Sequence, residues 1–146
     1  MTSVVVCGDD ESGEVSRVTE HNGSGEPWEP RLHVETPVRD VVVAVLLGEF
    51  DITSDRLLRE SLVEAARRAR AIVVDLSQAE FVDAATLHAI HTVHERLRTE
   101  GCALVLQLGT REIVRLVIEV SGLADAIPCA ASREEALRRA SRGAGL

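Results

Sequence analysis

The sequence predicts a single α/β domain: a mixed, mostly parallel sheet of about five strands with about four helices, preceded by a disordered acidic N-terminal tail. Three observations carry this. Near-continuous apolar runs over residues 41–47, 71–76 and 102–108 have the character of strands buried on both faces. Stretches with helical apolar spacing separate them, the alternation that builds a parallel sheet. Residues 1–30 differ in composition from everything that follows, so the tail is assigned to 1–30 and the domain to 31–142.

The tail holds seven acids, Asp9, Asp10, Glu11, Glu14, Glu20, Glu26 and Glu29, against Arg17 alone, and so carries most of the net charge of −8. Gly, Ser and Pro are frequent and no apolar periodicity appears, leaving little to offset the entropy of ordering. Asn22-Gly23-Ser24 matches a glycosylation sequon, but no export signal accompanies it and it reads as linker.

Past residue 31, Leu32 and Val34 alternate with His33 and Glu35, Pro37-Val38-Arg39-Asp40 reads as a turn, and 41–47 is a second strand; a hairpin opens the domain. Ser54 is expected to cap a helix with Leu58, Leu62, Ala65 and Ala69 on one face and Asp55 at the positive end of its dipole. Residues 71–76 form the next strand. A second helix begins near Asp83, with Leu87, Ile90, Val93 and Leu97 as its stripe and Gly101 beyond its end. After the strand at 102–108, a third helix follows Thr110, repeats apolar residues at Ile113, Leu116, Val117 and Val120, and ends at Gly122. A short strand near 126–129 leads to the capping box Ser132-Arg133-Glu134-Glu135, which starts a last helix carrying Leu137 and Ala140.

Composition removes several functions. All 16 basic residues are Arg, so neither a Schiff-base lysine nor a phosphate-binding Walker lysine is available. Net acidity with only Trp28, Phe50 and Phe81 as aromatics argues against nucleic-acid binding. The longest apolar run, 41–47, is far short of the roughly 20 residues of a membrane-spanning helix, so no membrane insertion is expected, and the N-terminus is the reverse of a secretory signal. A cytoplasmic protein follows, with Cys7, Cys102 and Cys129 as free thiols, Cys7 exposed and the other two buried or half-buried.

The tightest reactive cluster is His88, His91 and His94. Residues three apart on a helix advance about 300°, so these imidazoles fan across roughly 120° and do not converge on one ion. No metal or cofactor is expected; His88, His91, Glu95 and Arg98 form a polar, solvent- or partner-facing stripe. No serine lies in a G-x-S-x-G elbow. Glu49, Asp51 and Asp83 follow the carboxyl ends of strands, where parallel sheets bind ligands, and turn formation or helix capping accounts for them equally well.

Gly48-Glu49-Phe50-Asp51-Ile52-Thr53-Ser54, then IVVDLSQAEFVDAATL at 72–87, then Ser121-Gly122-Leu123 and SREEAL at 132–137 resemble the STAS-domain family, and within it the bacterial anti-sigma factor antagonists, in order across residues 32–141. The resemblance implies a non-enzymatic module that binds an anti-sigma factor, often an ATPase-type protein kinase, and thereby frees a sigma factor for transcription. It also implies a phosphoregulated Asp-Ser-Ser/Thr-Gly-Leu motif at the start of the second helix. Here Asp83 fits the Asp, Ala84 falls on the acceptor, Ala85 on the next residue, Thr86 on the Gly and Leu87 on the Leu, so the acceptor hydroxyl is missing. The expected partner-binding set is Glu49, Asp51, Thr53, Asp83, Ala84, Ala85, Thr86, His88 and His91, with Thr86 the one nearby hydroxyl for phosphorylation. A STAS subunit of a larger signalling or lipid-transport assembly, or a nucleotide-binding module, are the alternatives.

Overall fold

The expected hairpin is formed by β2 (Arg31–Val38) and β3 (Val41–Phe50), joined by a tight turn in which Asp40 takes φ +65°, a conformation its short polar side chain tolerates. The computed structural model describes residues 3–6 and 26–145. Ser3–Val6 is a strand, β1, antiparallel to β2 with Val4 opposite Val34. The expectation of a wholly unstructured 1–30 is corrected at these four residues: a β-branched run finds backbone partners along the otherwise open edge of β2. Cys7, the sequon and the acids from Asp9 to Glu20 lie outside the described residues.

Strands β4 (Ala71–Asp75), β6 (Ala103–Gln107) and β7 (Cys129–Ala130) continue the sheet in parallel, giving the order β1-β2-β3-β4-β6-β7. A further strand, β5 (Ala79–Val82), pairs in parallel with the far end of β3 and so sits beside the residues that lead out of it. The AEFV run is too short and too mixed to announce itself as a strand.

Side-chain alternation sorts the sheet into two faces. On one, Leu32, Ala44, Ile72, Val74, Leu104 and Leu106 pack with α1 (Asp55–Ala66), α2 (Ala84–Thr99) and α3 (Glu112–Ser121) through Leu58, Leu62, Leu87, Ile90, Val114 and Ile118. On the other, Val43, Val73 and Val105 lie in one register row across β3, β4 and β6 and are covered by Ala136, Ala140 and Ala144 at α5 (Arg133–Gly143). Alanines on that helix let it sit close to the valine row. Glu35 on β2 receives Arg133 of α5, and the resulting ion pair holds the Glu35 carboxyl below its ordinary range against the opposing effect of burial.

Three local expectations differ from the structure. Ser54 occupies the N-cap position of α1, but its side chain makes no capping hydrogen bond to that helix; a 3-10 turn over Ile52–Ser54 precedes α1, and Asp51 caps that turn, accepting the Thr53 N–H at 2.9 Å while Ser54 Oγ accepts the Asp51 N–H at 3.0 Å. A four-residue helix, α4 (Leu123–Ala126), fills the stretch before β7. On α3 the buried residues are Val114 and Ile118, whereas Ile113, Leu116 and Val120 are 48%, 54% and 77% exposed. The helix is apolar over more of its circumference than the core covers, so its regular spacing located the helix without identifying its buried side.

Candidate functional site

The expected residues divide between two segments that β5 brings together. Glu49 lies opposite Phe81, and Phe50 opposite Val82, so the loop after β3 and the start of α2 leave the sheet side by side. The Asp83 N–H donates to the Phe50 carbonyl at 3.2 Å, tying the two exits directly. Gly48, at φ +87°, precedes this point. A Cβ there would overlap the Glu29 carbonyl, because residues 26–30 cross over it and the Glu49 N–H donates to the Trp28 carbonyl at 2.8 Å.

Glu49, Asp51 and Thr53 are exposed beside Ile52, which is 68% exposed. The Thr53 side-chain and backbone donors hold the Asp51 carboxyl below its ordinary range, so it stays ionised. Asp83 caps α2, its carboxylate accepting the Thr86 N–H at 2.9 Å. Ala84, the first helical residue, is exposed, Ala85 is half-buried and His88 is exposed. Thr86 is not presented: it is 1% exposed and its hydroxyl is enclosed without a hydrogen-bond partner among the described residues. A helix residue two positions past the first one turns toward the core, and Thr86 does so where the family pattern carries a glycine.

An open groove of about 260 Å³ continues from this helix start, with Ala84, His88 and His91 on one wall and Ser121, Gly122 and Leu123 on the other. Gly122, at φ +78°, ends α3 and starts α4. Behind His91 the ring of His94 is buried and hydrogen-bonded to the Ala126 backbone, and burial pushes its pKa down, so it is neutral at pH 7. His94 thus sits apart from the stripe of His88, His91, Glu95 and Arg98 and joins α2 to α4. His91 is part-exposed, 3.8 Å from Glu95. Among the described residues no three His, Cys, Asp or Glu side chains converge as metal ligands.

Spacing on the helix marked His88 and His91, and chain order marked Asp83; nothing in the pattern marked the exposure of Phe81, Ile113, Leu116 and Val120. That exposure depends on how much of α3 and β5 the neighbours cover.

The family model of the STAS domain matches residues 33–136. No curated protein matches the chain by sequence. Among solved structures, an anti-sigma factor antagonist from Mycobacterium paratuberculosis is similar at TM-score 0.67 and 25% identity, over 79% of this chain and 97% of that one. The anti-sigma factor antagonist SpoIIAA in its unphosphorylated form is similar at TM-score 0.62 and 23% identity, over 79% and 97%. The Bacillus cell fate determinant SpoIIAA in its phosphorylated form is similar at TM-score 0.56 and 23% identity, over 74% and 97%.

Proposed function

The chain belongs to the STAS-domain family, and from that premise we propose that it is an anti-sigma factor antagonist whose partner-binding face is centred on the start of α2 and is not switched by phosphorylation there. The observation that carries the reading is Ala84: an exposed methyl at the first position of a helix, capped by Asp83, where the family motif presents a hydroxyl. A phosphoryl group brings about −1.5 to −2 charge. Alanine has no oxygen to receive it. Thr86 does not substitute, since its hydroxyl reaches a kinase only if the first turn of α2 unwinds.

The face around Ala84 suits a protein partner better than a small ligand. It is open and mixes exposed apolar groups at Ile52 and Phe81 with carboxylates at Glu49, Asp51 and Asp83. Such a mixture is typical of a protein interface, apolar at the centre and polar at the edge. The partner is an anti-sigma factor of the ATPase-kinase type, binding releases its sigma factor, and no cofactor takes part. Among the described residues no helix is long and apolar enough to cross a membrane.

The test is reconstitution. The host's purified anti-sigma factor, loaded with fluorescently labelled sigma factor, is titrated with the full chain in the presence of ATP. Release of sigma is expected with the parent and loss of release with Ala84→Arg, which places a long cation on the exposed helix start. No binding by the parent would overturn the reading.

A further inference from the structure

Helix α3 is buried through Val114 and Ile118 and leaves Ile113, Leu116 and Val120 outside, at i, i+3 and i+7. These three lie within about 60° of one another on the helix surface, a continuous apolar stripe along nearly its whole length. Scattered exposed apolar residues need no explanation, but an aligned helical stripe is the arrangement by which a helix lies in an apolar groove of another protein.

Its surroundings narrow the occupant. Glu112 and Glu119 lie together along one flank of the stripe, both exposed and neither ion-paired among the described residues. Of the neighbouring cations, Arg111 is paired with Glu80 at 3.2 Å, while Arg115 bonds the neutral Gly109 carbonyl at 3.1 Å, keeps its charge, and stands on the far side of the two glutamates from the stripe. The stripe therefore has a negative edge. A second copy would bring an identical negative edge, which opposes self-association through this stripe. Val120 is followed by Ser121 and Gly122, which wall the groove that runs to Ala84, so the stripe continues from the face around α2.

We propose that the outer face of α3, through Ile113, Leu116 and Val120, is a second part of the partner interface, inserting into an apolar groove on the anti-sigma factor whose rim is basic opposite Glu112 and Glu119. This deepens the function given above and rests on it. Anchorage on α3 adds three aligned apolar side chains to the exposed Ile52 and Phe81 beside the start of α2.

The experiment measures calorimetric affinity of the full chain for the purified anti-sigma factor, with Leu116→Ser/Val120→Ser, Glu112→Gln/Glu119→Gln and Ala84→Arg compared with the parent. All substituted residues are exposed, and circular dichroism and melting check that each variant folds. The α3 apolar variant is expected to bind about tenfold or more weakly. The glutamine variant is expected to lose a few-fold, with a flatter dependence on salt, as removal of an edge charge requires. Loss of binding in Ala84→Arg with unchanged affinity in both α3 variants overturns the α3 interface and leaves the α2 site standing. If the parent does not bind the anti-sigma factor at all, the functional reading itself fails. Sedimentation of the parent alone completes the set: a dimer that Leu116→Ser/Val120→Ser dissolves assigns the stripe to a second copy and overturns the proposal.

Discussion

The Asp83 carboxylate accepts the Thr86 backbone N–H at 2.9 Å, while the hydroxyl of the same Thr86 is enclosed with no partner among the described residues. One residue thus receives its cap through the backbone and leaves its side chain unsatisfied, and the two halves of that relationship have opposite energetic signs. Removing the cap by Asp83→Ala is expected to cost about 1 kcal/mol, with Asp83→Asn losing much less. Thr86→Val, which keeps the branched shape and deletes the stranded hydroxyl, is expected to be neutral or to stabilise by up to about 1 kcal/mol. Denaturant unfolding of the three variants measures both signs. A strongly destabilised Thr86→Val would mean the hydroxyl has a partner.

Restoring a hydroxyl at the exposed first position of α2 is expected to restore modification. Free backbone N–H groups at a helix start favour an added phosphate, and Ala84 is outside the core. Parent, Ala84→Ser and Thr86→Ala proteins incubated with the ATPase-type partner and ATP are compared by intact mass. A single phosphate is expected on Ala84→Ser alone. A phosphate on the parent that vanishes in Thr86→Ala would relocate the switch to Thr86 and show that the first turn opens.

Gly48 is expected to be irreplaceable. Its φ of +87° strains any L side chain, and a Cβ would meet the Glu29 carbonyl in the segment crossing above it. Gly48→Ala is expected to lose about 2 kcal/mol or more, combining left-handed strain with displacement of residues 26–30. Trp28 lies in that segment and is 53% exposed, so its fluorescence should respond in the folded variant. An unaltered spectrum and midpoint would show the crossing segment to be unimportant.

Much of the domain was legible because period and punctuation agree. The valine runs of β3 and β4, the Asp83 cap and the turn glycines Gly101 and Gly122 each state their role locally. The misreadings share a physical origin in tertiary context. Ser54 has the chemistry of a cap, yet Asp51 took the role because the chain leaves β3 through a 3-10 turn. Ser3–Val6 lacks neighbours in sequence and gains them from the edge of β2. On α3 the visible stripe was real, but of its four residues Val117 packs against the core while Ile113, Leu116 and Val120 face out, because local spacing records that a helix is apolar and not which side the sheet covers. Within the candidate site, chain order marked Asp83 and the family resemblance marked Ala84, whereas the inward turn of Thr86 and the burial of His94 depend on packing against other elements.

The thiols should separate by access. Cys102 is buried, Cys129 is half-buried, and burial pushes both above the ordinary thiol range. The thiolate is the reactive form, so both are expected to alkylate far more slowly in the native protein than in denaturant, Cys102 the slower of the two. Peptide-resolved mass spectrometry after a timed iodoacetamide pulse reads each site separately. Rapid native labelling of Cys102 would mean that the ends of α1 and α2 open readily.

His94 is expected to make the fold sensitive to mild acid. Burial is the largest effect on its ring, opposed by the Glu95 charge and reinforced by His91 and Arg98, and the net result is a folded-state pKa below that of the unfolded chain, about 6.5. The unfolded state therefore binds the proton first. Stability from the neutral ring is complete above pH 6.5 and declines as pH falls from there toward the lowered folded value. The decline begins at pH 6.5, above the ordinary carboxylate range, whereas the contribution of the Glu35–Arg133 pair is lost as pH falls through the lowered Glu35 value. The hydrogen bond to the Ala126 backbone favours the charged ring and so opposes the effect of burial without reversing it. Melting curves between pH 7.5 and 5.5 are expected to show a falling midpoint for the parent and a flatter line for His94→Gln, at a lower starting stability. Equal slopes for the two proteins would show that His94 is not the source of the acid sensitivity.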